Sequence, residues 1–186
     1  MKIALFTETF LPKVDGIVTR LTKTVTHLVR AGDEVLLFCP EGAPDNFMGA
    51  RVIGVPGLPL PLYPELKLAL PRPLVAEALD AFKPDLVHVV NPAVLGLGGI
   101  WLARTRGVPL VASYHTHLPK YLEHYGMGMF EPLLWELLKA AHNQAALNLC
   151  TSSAMVEELS QHGIQHTALW QRGVDTDLFR PQWRNP

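Results

Sequence analysis

KIALFTETFLPKVDGIVTRLTKTVTHLVRAGDEVLLFC, residues 2–39, holds two short apolar runs, 2–6 and 34–39, on either side of a polar-apolar stretch. Within that stretch Ile17, Leu21, Val25 and Leu28 recur at helical spacing, with Arg20, Lys23, His27 and Arg30 on the opposite face. Both runs are apolar at successive positions, so neither has a solvent face. Strands of that kind belong in the middle of a parallel sheet, and a helical crossover joins parallel neighbours. Gly32 follows the helix where the chain must turn left-handed, a conformation that costs glycine little. The stretch is a βαβ unit.

The same rhythm runs to the end of the chain. Residues 51–55, 86–90, 110–114 and 147–151 read as further strands, and 167–170 as a weaker one. Helical patterns cover 16–31, 74–82, 93–105, 130–146 and 153–162, with Gly107 and Gly163 as further helix stops. The expected fold class is α/β: a Rossmann-like, doubly wound, mainly parallel sheet. Two segments break the pattern. Residues 57–73, GLPLPLYPELKLALPRP, carry five prolines and suit neither a regular helix nor a central strand. Residues 172–186 show turn and proline signals and no further βα unit. The expected organisation is one domain over 1–171, followed by a linker at 172–186 to a C-terminal domain outside the chain.

Composition narrows the function classes. Of the 186 residues, 48% are hydrophobic and 18% charged, which suits a folded core. A formal net charge of -1 with interspersed signs gives no nucleic-acid footprint. Cys39 and Cys150 end apolar runs and read as inert core thiols in a reducing compartment. The first residues begin directly on a strand, without a signal-peptide layout, and charges interrupt the apolar region 130–150. The expected location is the cytoplasm, with contact to the cytoplasmic face of a membrane.

In an open parallel sheet, ligands gather beyond the carboxyl ends of the strands. Four loops lie there: 7–15, 91–92, 115–128 and 152–153. The third, HTHLPKYLEHYGMG, carries His115, His117 and His124. A zinc site needs three protein ligands, and no HExxH or CxxC spacing accompanies these histidines, so no metal is expected. Local hydrogen bonding and recognition of a polar ligand stay open for them. In the first loop, Asp15–Gly16 opens a helix whose N–H groups and dipole favour an anion, while Asp15 is equally suited to capping that helix. The turn is neither GxGxxG nor a Walker loop, which excludes a dinucleotide fingerprint and a P-loop NTPase.

KIALFTETFLPKVDGI, PDLVHVVNP, YHTHLPKY and RGVDTDLFRP occur in this order along the chain. The ordered set resembles the N-terminal domain of retaining GT-B glycosyltransferases of family 4. YHTHLPKYLEHYG and LWQRGVDTDLF are most similar to the branch that moves sulfoquinovose from UDP-sulfoquinovose to diacylglycerol. GDP-mannose- or UDP-glucose-dependent lipid glycosyltransferases are the alternative branch. The resemblance implies a nucleotide-sugar donor as substrate, with no cofactor, held between this domain and a C-terminal one. It implies that Asp15–Gly16 lies against the donor diphosphate, although many relatives have two glycines there. It implies that His115 contacts the donor sugar as the catalytic residue, that His117 borders the acceptor, and that His124 is structural.

For a lipid acceptor such as diacylglycerol, Tyr63, Lys120 and Tyr121 are the expected binding residues, beside the apolar Met127, Met129 and Phe130. Lys67 lies in the same proline-rich segment as Tyr63. The basic face of the first helix suits either anionic headgroups or plain water. A non-catalytic Rossmann-like binding domain is the reading from another class. On the enzyme reading, the chain without its second domain is expected to transfer no sugar.

Overall fold

A computed structural model of the chain describes residues 1–60, 63–124, 126–171, 173–176 and 178–183. The first unit is β1 (Lys2–Thr7), α1 (Gly16–Arg30) and β2 (Glu34–Pro40), with β1 and β2 parallel. Next come β3 (Asn46–Phe47) and β4 (Ala50–Val55), then the pair β5 (Gly57–Leu60) and β6 (Tyr63–Ala69). Helix α2 (Pro73–Phe82) leads to β7 (Leu86–Val90), α3 (Val94–Arg106) and β8 (Leu110–Tyr114). The remaining elements are α4 (Leu118–His124), α5 (Glu131–His142), β9 (Leu147–Cys150), α6 (Ser153–Gln161) and β10 (Thr167–Leu169). The main sheet runs β10-β9-β8-β7-β1-β2-β4-β3 and is parallel except for β3 on β4. The fold is the expected doubly wound α/β sheet.

Alternation along β1 shows how the layers form. Ala4 and Phe6 face one side with Leu36, Phe38, Val87 and Val89, beneath α2 and α3. Ile3 and Leu5 face the other with Val35 and Leu37, beneath Leu21 and Val25 of α1. Phe6 stacks on Phe38 at 4.6 Å, and α3 lies so close that a Cβ on Gly99 would sit 2.6 Å from the Phe6 ring. A third cluster joins Tyr114, Trp135, Leu138, Cys150 and Leu159 at the β9 end. Both cysteines are free and buried, and burial pushes Cys39 up to about 12 and Cys150 up to about 11. Thiols so protonated are poor nucleophiles.

Three local features go beyond the sequence expectation or differ from it. Segment 57–73 supplies neither a helix nor a central strand, but β5 and β6 pair antiparallel in a two-stranded sheet of their own. A ribbon of two strands has only edges, where proline's missing N–H is tolerated, and Pro73 begins α2. Residues 118–124, expected as irregular loop, form α4, with the ring of His117 accepting from the Lys120 N–H at its start. The basic face of α1 is partly occupied, because the Arg20 guanidinium lies 4.4 Å from the Trp170 ring centre and Lys23 pairs with Asp175. Among the described residues, no helix is long and apolar enough to cross a membrane.

Candidate functional site

Strand order places a topological switch between β1 and β7: the chain runs outward from β1 through β2 and β4, then returns to β1's other side. Glu8 follows β1 at this crevice and is 7% exposed. Its Oε1 accepts from the N–H of Gly96 at 2.8 Å and of Ala93 at 3.3 Å, at the start of α3. Oε2 is buried and meets no hydrogen-bond partner among the described residues. Burial raises the Glu8 carboxyl above the usual glutamate range, and the α3 N–H groups oppose that shift. Glu8, Thr9, Phe10, Lys13, Pro40 and Glu41 line a groove of about 390 Å³.

Asp15 is the N-cap of α1: its Oδ1 accepts from the N–H of Ile17 at 2.9 Å and Val18 at 2.8 Å. Lys13 stands 3.5 Å from the other oxygen. The capping carboxylate therefore takes N–H groups that an incoming anion would otherwise use. Gly16 has ordinary φ, and a Cβ there would meet nothing within 4 Å. Neither backbone conformation nor crowding within the chain requires glycine at 16. The residue borders a groove of about 480 Å³ with Thr19, Arg20, Trp170, Gln171 and Val174.

At the end of β8 a polar cluster lies inside the apolar sheet. His88 Nε2 is 3.0 Å from Ser113 Oγ, and His115 Nε2 is 2.9 Å from the same oxygen. Ser113 is fully buried and His88 is 8% exposed. Burial, with His115 alongside, lowers His88 to about 4, so the ring is neutral at pH 7. Trp170, just past β10, packs against both imidazoles at 5.8 Å and carries Arg20 over its ring. Asn91, in left-handed conformation after β7, accepts from the Thr116 N–H at 3.3 Å and so holds the β8 loop.

His117 has a different setting. Its Nδ1 accepts from the Lys120 N–H at 3.2 Å and its Nε2 meets Glu158 of α6 at 2.6 Å, with Trp135 edge-on at 6.0 Å. Both ring nitrogens thus bond within the fold. The Lys120 side chain is exposed beside it. For Tyr63, Lys67, Tyr121 and His124 the side chains lie outside the described residues. Among the described residues, no three His, Cys, Asp or Glu side chains are grouped to hold a metal. Glu8, His88, Ser113 and Trp170 were not singled out from sequence. The signal for two of them was a polar residue interrupting an apolar strand, in LVHVV and LVASY.

Residues 14–178 match the family model for Glycosyltransferase Family 4. The chain belongs to glycosyltransferase family 4. A GDP-mannose-dependent alpha-mannosyltransferase of Mycolicibacterium smegmatis is 38% identical over 191 aligned positions, covering 100% of this chain and 51% of that protein. The sulfoquinovosyl transferase of Arabidopsis thaliana is 35% identical, covering 99% of this chain and 37% of that protein. This chain thus spans about half of the first relative's length and 37% of the second's. Among solved structures, the sucrose-phosphate synthase of Thermosynechococcus elongatus superposes with a TM-score of 0.65 at 20% identity, over 97% of this chain and 50% of that one. That likeness carries the fold.

Proposed function

We propose that the chain forms the acceptor-side half, over 1–171, of a retaining glycosyltransferase, with 172–186 leading to a donor-binding domain. The reaction moves a hexose from a nucleoside diphosphate sugar to a lipid acceptor. The observation that carries this reading is the convergence of the Gly16 groove and the His115 cluster at the carboxyl edge of the sheet, with Trp170 common to both and Arg20 over its ring. Gly16 leaves backbone open to a diphosphate, and His115 offers a ring nitrogen to the sugar. Lys120, exposed beside His117, serves the acceptor together with Tyr63 and Tyr121. An exposed row on and before α5, made of Met129, Phe130, Leu133 and Leu137, supports contact with a lipid surface. No cofactor is required; the nucleotide sugar is the substrate.

For the donor, the motif resemblance favours UDP-sulfoquinovose with diacylglycerol as acceptor. A second reading, mannosyl transfer from GDP-mannose, is favoured by the 38% identity to the mycobacterial mannosyltransferase. The test is product formation by the longer protein containing this chain, with UDP-sulfoquinovose, GDP-mannose and UDP-glucose supplied separately over diacylglycerol vesicles. Transfer from one donor identifies it. Absence of transfer from every donor, with the protein folded, would end the proposal.

A further inference from the structure

Ser113 presents one hydroxyl to two imidazoles, at 3.0 Å from His88 Nε2 and 2.9 Å from His115 Nε2. A hydroxyl has a single proton to give and two lone pairs to receive with. It cannot donate to both rings. Were both rings to donate to it, its own proton would need another acceptor, and among the described residues the hydroxyl meets only these two nitrogens. Ser113 is fully buried, so water offers no cheap replacement. The satisfied arrangement gives the proton to one ring and accepts from the other. We propose that His88 and Ser113 are positioning residues for His115, holding the two imidazoles in opposite tautomers and fixing which proton state His115 brings to the ligand.

Placement supports this. His88 and Ser113 lie on the adjacent parallel strands β7 and β8, where His88 registers with Val111, two residues before Ser113. Ser113 and His115 are likewise two residues apart. Side chains two apart in extended chain share a face, so all three polar groups emerge on one side of the sheet. Trp170 closes over both rings, which limits their reorientation. His88 is neutral at pH 7 because burial lowers its pKa to about 4, so the ring carries one proton and has a definite tautomer. Asn91 fixes the loop just beyond His115. The catalytic consequence rests on the glycosyl-transfer reading; the tautomer order rests on the hydrogen bonds alone.

Long-range ¹H–¹⁵N correlation of the imidazoles in this chain, at mildly alkaline pH, reads the tautomers directly. Replacing each histidine by Gln assigns the signals. The expected pattern is one ring protonated at Nε2 and the other at Nδ1, each in a single form. Ser113→Ala should change the tautomer balance of His115. His88→Leu should do the same, whereas His88→Gln, which keeps a polar group near the Nε2 position, should preserve the order. Equal tautomers in both rings, a mixture in the wild type, or an unchanged His115 in Ser113→Ala would overturn the proposal. If Ser113→Ala does not fold, the wild-type pattern and the His88 pair decide. In the longer enzyme, Ser113→Ala should lower kcat by roughly 10–100-fold with donor KM little changed, the size expected when an orienting partner is lost. A wild-type kcat in that variant would remove the catalytic consequence. Ordered tautomers in a protein that transfers no sugar would instead refute the glycosyltransferase reading and leave the positioning unit standing.

Discussion

His115 and His117 leave the same strand two residues apart, yet the fold uses them differently. His117 bonds the start of α4 through one nitrogen and Glu158 of α6 through the other, with Trp135 against its edge. Its bonds tie together pieces of the structure. His115 is tied through Ser113 to a buried, neutral His88, under a tryptophan that borders an open groove. The elements that each ring bonds to separate an imidazole that assembles the protein from one that the protein aims. Sequence spacing alone makes the two look alike.

Substituting both residues tests that contrast, and the largest effect is expected at His115. In the longer enzyme, His115→Ala should lower kcat/KM by an amount equivalent to about 2–4 kcal/mol, the value of a well-placed polar group at a reacting centre. Loss of the hydrogen bond to Ser113 should lower stability by about 1–1.5 kcal/mol, less than the loss in activity. Both quantities can be measured on one preparation. Near-wild-type kcat/KM beside a sharply lowered melting temperature would place His115 with His117.

A second test isolates His88, and its sign follows from the direction of the shift. Its folded pKa, about 4, lies below the usual histidine value of about 6.5. The unfolded chain then binds more protons between those two values. The associated stability is fully present above about pH 6.5 and is lost as pH falls through about 4, a change of about 3 kcal/mol. Glu8 acts in the opposite direction: with its folded pKa raised, its contribution is present below the usual glutamate range and fades as pH rises through the folded value. Denaturant unfolding of wild type and His88→Gln across this range separates the terms. Wild type should lose its advantage toward acid pH; parallel curves would mean that His88 is not buried neutral.

Much of the scaffold was legible because it depends on local pattern. The largely apolar runs of β1, β2, β7 and β8 announced a parallel sheet, and Gly32, Gly107 and Gly163 all take the positive φ expected of helix stops. The β5–β6 ribbon was missed because its five-proline neighbourhood speaks against regular structure, and pairing between its strands is not a local property. The polar cluster was hidden for a related reason. His88 and Ser113 lie far apart in sequence and meet through the β7–β8 register, and Trp170 reaches them from beyond the end of β10, a contact that no local pattern announces. Glu8 lay inside a loop marked as ligand-facing, but its role at α3 depends on the β1–β7 adjacency.

His117 provides the next, smaller effect. Removing its ring takes the acceptor from the Lys120 N–H and the partner from Glu158, so His117→Ala should cost about 1–2 kcal/mol, comparable to losing a helix cap. Pairing the change with Glu158→Gln in a double-mutant cycle should give a coupling of roughly 0.5–1.5 kcal/mol. Zero coupling would release His117 from the structural role and return its ring to the acceptor side.

Gly16 gives the smallest effect on stability and opposite signs for folding and ligand binding. Its φ lies outside the left-handed region, it begins α1, and a Cβ there would meet nothing within 4 Å. Alanine therefore fits the folded chain and restricts the unfolded one, so Gly16→Ala should stabilise the protein by about 0.4–1 kcal/mol. If the site instead admits a diphosphate against this backbone, the added methyl occupies space that the phosphate needs. The variant should then melt slightly higher while the longer enzyme binds its nucleotide sugar more weakly, seen as a raised donor KM or a larger Kd by calorimetry. Unchanged donor affinity in a stabilised variant would move the diphosphate away from Gly16. Since Asp15 already takes the N–H groups of Ile17 and Val18, the groove beside Trp170 and Arg20 would then be the place to look for it.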